Sequence, residues 1–271
     1  MKPRKAWEDS GFVICAALPS DCGQPRTRRR MTALQTDPPI MTRNGTDTTA
    51  HHHTPLILAL PKGRILKALA PVLTRTGIEP DPDCLTESSR RLRFGTSDPN
   101  LDVVRVRSFD VATFVAYGGA DIGVCGADVL MEFDYPDIYA PLDLGIGGCR
   151  IAVARPKTMT EDPATGQSRL RVATKYPTIA RRHFASRAIN AEIVHLNGAM
   201  ELAPTLDLAS VIVDLVDTGS TLRANGLMET ETIAHVTSRL IVNRVALKTR
   251  PEEISALIER FRTALATEGA V

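Results

Sequence analysis

The side chains best suited to chemistry lie together in Val211-Ile212-Val213-Asp214-Leu215-Val216-Asp217-Thr218-Gly219-Ser220-Thr221-Leu222. An apolar run of this kind makes a rigid buried strand, and the residues after Val216 offer backbone N–H groups and hydroxyls that converge on one point, as an anion requires. Gly219 lets the backbone approach that anion with no Cβ in the way. A helical turn begun at Thr221 adds the positive end of its peptide dipoles. Asp214, on the strand that delivers the loop, is a carboxylate placed for sugar hydroxyls. Phosphate cradle and sugar-binding acid together suit a phosphorylated ribose. An ordinary strand ending in a Thr-Gly turn gives the same short pattern, so the surrounding sequence has to decide.

That surrounding sequence is specific. Read in one frame from Glu201 through Asp207, Ala209, Asp214, Thr218, Gly219 and Thr221 to Leu222, it resembles the signature of the ATP phosphoribosyltransferase family, which opens histidine biosynthesis. Asp207 stands where that family usually has glycine. Three further segments match: Leu60-Pro61-Lys62-Gly63-Arg64, Arg107-Ser108-Phe109-Asp110, and Gly119-Ala120-Asp121-Ile122-Gly123-Val124-Cys125-Gly126-Ala127-Asp128. The resemblance spans roughly residues 55 to 266.

The resemblance implies an α/β fold of two lobes, periplasmic-binding-protein-like (type II), with a ligand cleft between them. The reaction it implies is displacement of pyrophosphate from C1 of phosphoribosyl pyrophosphate by N1 of the adenine of ATP. Mg2+ is then expected on the pyrophosphate, held by substrate oxygens and a carboxylate, with no metal fixed by the protein alone. Only 49 residues follow Leu222, too few for the histidine-binding domain of the family's long form. The chain is therefore expected to be the short form, a homodimer within a hetero-octamer built with a HisZ-type regulatory subunit similar to histidyl-tRNA synthetase.

Composition is compatible with that reading. Hydrophobic residues make up 43% and charged residues 24% of 271, enough for one large or two modest cores. Residues 1–53 hold eight Lys/Arg against five Asp/Glu, leaving 25 basic against 26 acidic in the rest. A folded part without basic excess, and with few aromatic stacking platforms, argues against a nucleic-acid partner. Cysteines at 15, 22, 84, 125 and 149 are odd in number and form no CxxC pair, which reads as reduced thiols in a cytoplasmic protein. Cys125 and Cys149 sit in apolar strand contexts and read as small buried hydrophobes. No apolar run approaches the ~18 residues of a membrane span. The first 53 residues, mostly basic from Arg26 to Arg30 and broken at Pro38-Pro39 and Asn44-Gly45, read as a disordered leader or an overlong start. His51-His52-His53 in that tail read as incidental rather than metal-binding.

From residue 55 the order is regular. A strand at 56–60 leads through Lys62-Gly63-Arg64 into a helix carrying Ile65, Leu69, Val72 and Leu73 on one face and stopped by Gly77. A strand at 103–106 follows, then a helix capped by Asp110 and ended by Gly118-Gly119, then a strand at 121–124. Strands at 150–154, 171–174, 192–196 and 211–216 come next, with a surface loop at 157–169, a strand at 238–247 and a final helix bearing Ile254, Leu257, Ile258, Phe261 and Leu265. Such alternation predicts parallel sheets. With the chain crossing back, lobe I is expected at 54–147 plus 239–271 and lobe II at 148–238.

Ligands of such folds sit at strand C-terminal ends. Asp217, Thr218, Gly219, Ser220 and Thr221 are therefore assigned to the ribose 5-phosphate and Asp214 to the ribose hydroxyls. Lys62, Gly63, Arg64 and Arg107 are assigned to phosphates or the nucleotide, with Asp121 and Asp128 as candidate ATP contacts. No residue presents itself as a general base. Two other functions fit parts of the pattern. A salvage-type phosphoribosyltransferase usually has two adjacent carboxylates where this chain has Val213-Asp214, and a non-catalytic solute-binding protein of the same shape needs no ribose-phosphate loop.

Overall fold

The computed structural model describes residues 54–86, 88–159 and 169–267. The expected leader at 1–53, with its histidines and Cys15 and Cys22, and most of the loop expected at 157–169 lie outside the described residues.

Two sheets are built in turn. The first run comprises β1 (Leu56–Pro61), α1 (Arg64–Thr76), a 3-10 turn at Pro82–Cys84, β2 (Arg93–Gly95), β3 (Leu101–Val106), α2 (Ser108–Ala116), β4 (Ile122–Gly126), α3 (Ala127–Phe133) and β5 (Ile138–Asp143). The second comprises β6 (Cys149–Pro156), β7 (Leu170–Thr174), α4 (Pro177–Ala185), β8 (Ala191–His195), α5 (Leu202–Thr205), β9 (Val211–Val216), α6 (Ser220–Ala224) and β10 (Leu227–Val236). The chain then returns through β11 (Ser238–Asn243), α7 (Arg244–Thr249) and α8 (Pro251–Ala266). Lobe I holds a six-stranded sheet in the order β2-β3-β1-β4-β11-β5, and lobe II a five-stranded sheet in the order β10-β6-β9-β7-β8.

The sheets are mixed rather than parallel throughout. β3, β1 and β4 run parallel, as do β8, β7 and β9, but β11 lies antiparallel to β4 and β6 antiparallel to β9. β6 and β11 are the strands by which the chain changes lobe, while β2 also pairs antiparallel, with β3, at the edge of the lobe I sheet. The two crossings also bond to each other: Leu144 N–H donates to Ser238 O and Ser238 N–H to Ile146 O, each at 2.9 Å. Gly145 and Gly147 turn there at φ +65° and +66°, a conformation that suits glycine.

Strands buried on both faces need helices on both faces. In lobe I, Leu69, Leu73, Leu257 and Phe261 from α1 and α8 cover one side of the sheet, while Val111, Val115 and Val129 from α2 and α3 cover the other. α1 forms as its spacing predicts and ends where Gly77, at φ +69°, donates to Leu73 and Thr74 carbonyls. Asp110 is not the cap of α2: the helix begins at Ser108 and Asp110 falls in its first turn. The strand expected at 238–247 stops at Asn243, whose side chain accepts from Val245 and Ala246 N–H and so opens α7.

One contact fixes lobe II against lobe I. Pro177 occupies the first turn of α4, and the N–H groups of Thr178 and Ile179 point at Glu132 of α3, whose carboxylate accepts them at 2.9–3.1 Å. Glu132 is 5% exposed, so this anion is held by helix-end donors away from bulk water. Beside it Asp128 accepts a 2.8 Å hydrogen bond from the Tyr176 hydroxyl. Glu132→Ala is expected to lower unfolding free energy by about 2–3 kcal/mol, with Glu132→Gln losing less. Denaturant titration measures both, and an unchanged midpoint in the alanine variant would show that the contact does not hold the lobes.

Candidate active site

The parallel strands of both sheets end toward a common cleft. β1 delivers Lys62, Gly63 and Arg64; β3 delivers Arg107; β4 delivers Gly126 and then Asp128; β7 delivers Lys175 and Tyr176; β9 delivers Asp217 and the loop beyond it. A cavity of about 310 Å³ is lined by Asp214, the whole loop from Asp217 to Thr221, Glu201, Cys149 and, from lobe I, Arg64. A second, of about 250 Å³, shares Arg64, Cys149 and Leu215 with it and adds Lys62, Phe109, Asp128, Lys175 and Tyr176. A third, of about 530 Å³, meets the second at Lys62 and is walled by Leu66, Ala70, Leu85, Lys67 and Arg105.

The cradle has the form its residues dictate. Gly219 lies at φ +71° as the N-cap of α6, which starts at Ser220, one residue before the expected Thr221. Thr218 Oγ1 donates to Ser220 Oγ at 3.0 Å and accepts from Ser220 N–H. Asp217 is paired across the cleft with Arg64. Three side chains that the sequence reading did not single out hold or complete the site. Arg223 donates to Thr218 O at 3.0 Å from the next turn. Arg150, itself held bidentately by Glu229, donates to Asp217 O at 2.8 Å. Lys175 stands with its ammonium 3.8 Å from the centre of the Phe109 ring. Arg223 follows Gly219 by one helical turn, a spacing that could have been noticed; Arg150 and Lys175 depend on which strands neighbour β9.

Asp214 is half-buried, and burial pushes its carboxyl up to about 6, with Glu201 reinforcing the rise and the Leu215 N–H and Lys175 opposing it. Burial also raises Asp128, against the hydrogen bond from Tyr176. Asp128 lines the cleft, but its acid is taken up by Tyr176 and holds the lobes together. Asp121 does not reach the cleft. It precedes β4 at the opposite edge of the sheet, where Oδ2 accepts from Ile57 N–H at 2.8 Å and its carbonyl accepts from Asn243. Arg107 is exposed at the end of β3. Cys125 is a buried hydrophobe as expected, whereas Cys149 is half-buried and opens on two of the cavities. Asp207 adopts φ +55°, the glycine-like conformation, which an aspartate tolerates. Its carbonyl accepts from Arg171 at 2.8 Å.

Fold and site together define a two-lobed α/β protein that presents a loop of small polar residues and a half-buried carboxyl to an interlobe cleft. The model of the ATP phosphoribosyltransferase family matches residues 107–263. The ATP phosphoribosyltransferase of Gluconobacter oxydans is 90% identical over 89% of this chain and all of its own length, and that of Paramagnetospirillum magneticum 61% identical over 77% and 96%. Among solved structures, the "ATP phosphoribosyl transferase (HisG:HisZ) complex from Thermotoga maritima" contains a chain that is 30% identical with TM-score 0.67, covering 78% of this chain and 99% of that one. The periplasmic aliphatic sulphonate binding protein SsuA from Escherichia coli, at 12% identity and TM-score 0.50 over 79% and 69%, shares the fold alone. The chain belongs to the ATP phosphoribosyltransferase family. Its activity is pentosyl transfer at the first step of histidine biosynthesis, which sets aside the salvage-type and solute-binding alternatives. Among the described residues no helix is long and apolar enough to cross a membrane.

A carboxyl whose folded value lies above its unfolded value of about 4 binds its proton more tightly in the native state, so Asp214 costs stability as pH rises from about 4 to about 6. Asp214→Asn removes that titration. Its melting temperature minus that of the wild type is expected to grow across this window and level off above it, in ligand-free protein. A difference independent of pH would mean that Asp214 is not raised.

Proposed function

We propose that the cradle from Asp217 to Thr221 binds the 5-phosphate of phosphoribosyl pyrophosphate, that Asp214 accepts its ribose hydroxyls, and that ATP approaches from lobe I. The observation that carries this is the single cavity enclosed by Asp214, the loop and Arg64. The wider space beside Lys62 has apolar walls from Leu66, Ala70 and Leu85 and two lysines, Lys62 and Lys67, the surroundings a purine nucleotide requires. Arg107, exposed at the same sheet edge, is a further cation for its phosphates.

The reaction asks for no side-chain nucleophile. The lone pair of adenine N1 forms the bond to ribose C1, and the C1–O bond breaks with its electron pair leaving on pyrophosphate. Holding two substrates in line supplies roughly up to 7–11 kcal/mol in favourable cases, and cations at the leaving group stabilise charge as it develops. Asp214 near C1 offsets the positive charge that grows on the ribose. Among the described residues no three His, Cys, Asp or Glu side chains group as metal ligands. Mg2+ would be carried by the substrate's diphosphate oxygens, with Asp214, Asp217 and Glu201 as the carboxylates of the cavity able to contribute a hard oxygen donor. When bound, it neutralises leaving-group charge.

The likeness to the HisG chain of the Thermotoga maritima complex supports a hetero-oligomer with a HisZ-type regulatory subunit. The expected homodimer within a hetero-octamer is part of the same proposal, as is work in the cytoplasm.

Two tests follow from these assignments. A Cβ at 219 would lie 3.2 Å from Arg223 Nη1 at a φ that L residues rarely adopt, so Gly219→Val is expected to abolish measurable phosphoribosyl pyrophosphate binding. Thr221→Ala should weaken it about tenfold. Calorimetric titration decides, and full affinity in both variants would reduce the loop to a turn. For the partner, steady-state rates of the purified chain should be low and indifferent to histidine, and both activity and histidine inhibition should appear on adding the regulatory subunit. Strong inhibition of the chain alone would overturn that assembly.

A further inference from the structure

The 250 Å³ cavity next to the cradle brings cations from both lobes together, Lys62 and Arg64 from one and Lys175 from the other. Lys175 is the one the proposed reaction has not yet used. Its place along the sheet is informative. Thr174 pairs with Val213 in the parallel register of β7 and β9, so Lys175 is level with Asp214 and stops short of the loop that begins at Asp217. Lys175 lines the same cavity as Asp128 and Tyr176 of the interlobe contact, and its charge partly opposes the rise that burial imposes on Asp214 and Asp128. A cation at the level of the ribose, away from the 5-phosphate cradle, is positioned for a group carried on C1.

Its present partner is uncharged. The ammonium lies over the face of Phe109, a residue of α2 on the other lobe, at 3.8 Å, and that ring is itself braced by Phe133 and Tyr176 at centroid distances of 5.5 and 5.4 Å. A lysine stem is long and flexible, so its head can exchange a ring face for a phosphate oxygen without moving the strand. We propose that Lys175 binds the diphosphate of phosphoribosyl pyrophosphate and stays with it as it leaves, and that the Phe109 ring holds the ammonium ready in the empty cleft. It donates hydrogen bonds and keeps all its protons; the C1–O bonding pair goes to pyrophosphate.

This rests on the ribose-phosphate reading of the cradle, so the ligands are chosen to separate the two. The full-length wild type, Lys175→Met, Lys175→Arg, Phe109→Leu and Gly219→Val are titrated with pyrophosphate, phosphoribosyl pyrophosphate, ribose 5-phosphate and ATP, in Mg2+ throughout. Lys175→Met is expected to weaken pyrophosphate and phosphoribosyl pyrophosphate about 10- to 100-fold, to leave ribose 5-phosphate and ATP within about threefold, and to be largely rescued in Lys175→Arg. Phe109→Leu, which keeps an apolar side chain but removes the ring's hold, should tighten pyrophosphate about two- to tenfold. Equal losses for ribose 5-phosphate and pyrophosphate, or a loss confined to ATP, overturn the assignment of Lys175, and weaker pyrophosphate binding in Phe109→Leu overturns the role of the ring. Ribose 5-phosphate binding indifferent to Gly219→Val would instead overturn the cradle.

Discussion

Glu132 reaches from α3 to two peptide N–H groups that the first turn of α4 leaves without intrahelical acceptors, and the distances across the cleft depend on that contact. It is a buried anion on a helix end, with Asp128, Tyr176 and Phe109 packed alongside. A different interlobe link beside the cradle, Arg64 to Asp217, has both side chains more than half exposed. Exposed pairs contribute ~0–1 kcal/mol, whereas a buried charge stripped of its partners costs several times that. The lobes therefore stay joined at α3 and α4, and the link that yields to a ligand is the one beside the cradle.

The paired crossings give this arrangement its second fixed line. β6 and β11 run against the parallel strands beside them and lie inside the sheets, and the segment that leads into β6 bonds through Leu144 and Ile146 to Ser238 at the start of β11. The parallel strands on either side all end toward the cleft. Arg150, at the start of β6, uses its place beside β9 to hold the Asp217 carbonyl, so the strand that joins the lobes also positions the phosphate loop. A loop of small polar residues would otherwise have few contacts to define it.

Much of this was legible in the chain because the informative features are local. The apolar run before Asp217, the glycine at 219 and the spacing of α1 and α8 each specify a structure within a few residues. β5 and β10 were missed for the opposite reason. They are edge strands with partly exposed patterns, and β10 carries register shifts against β6, so neither shows a clean apolar run or alternation. Asp121 was misassigned because a motif aligns residues without saying which end of a strand faces the ligand; the strand it precedes delivers Asp128, seven positions on, to the cleft. Arg105, an arginine inside a strand, is 4% exposed and donates to the carbonyls of Cys84, Thr86 and Ser89, a role set by a turn that only the fold brings to it. The same holds for Lys175, whose meaning lies in the register of two strands separated by 36 residues of chain.

The pairing of charges in the empty cleft bears on how a polyanion can enter it. Arg64 and Lys175 already have partners there, and releasing each has a cost that depends on what is left behind. When Arg64 leaves Asp217, a carboxylate remains close to the arriving 5-phosphate, and like charges at that range repel. The Asp217 carbonyl is tied to Arg150, whose guanidinium stays in place to offset that repulsion. When Lys175 leaves Phe109, only an aromatic face remains, which repels an anion far less than a carboxylate would. An ammonium held by a ring is thus restrained against wandering in the free protein, yet released without exposing negative charge to the group it must bind. The neighbouring acids are treated differently: Asp128 is engaged by Tyr176, and Asp214, raised to about 6 by burial, stands in the proposed binding mode beside the carbon on which positive charge develops. On the proposed assignments, an uncharged partner for Lys175 and an acid at the ribose are what separate a leaving-group site from a carbocation site.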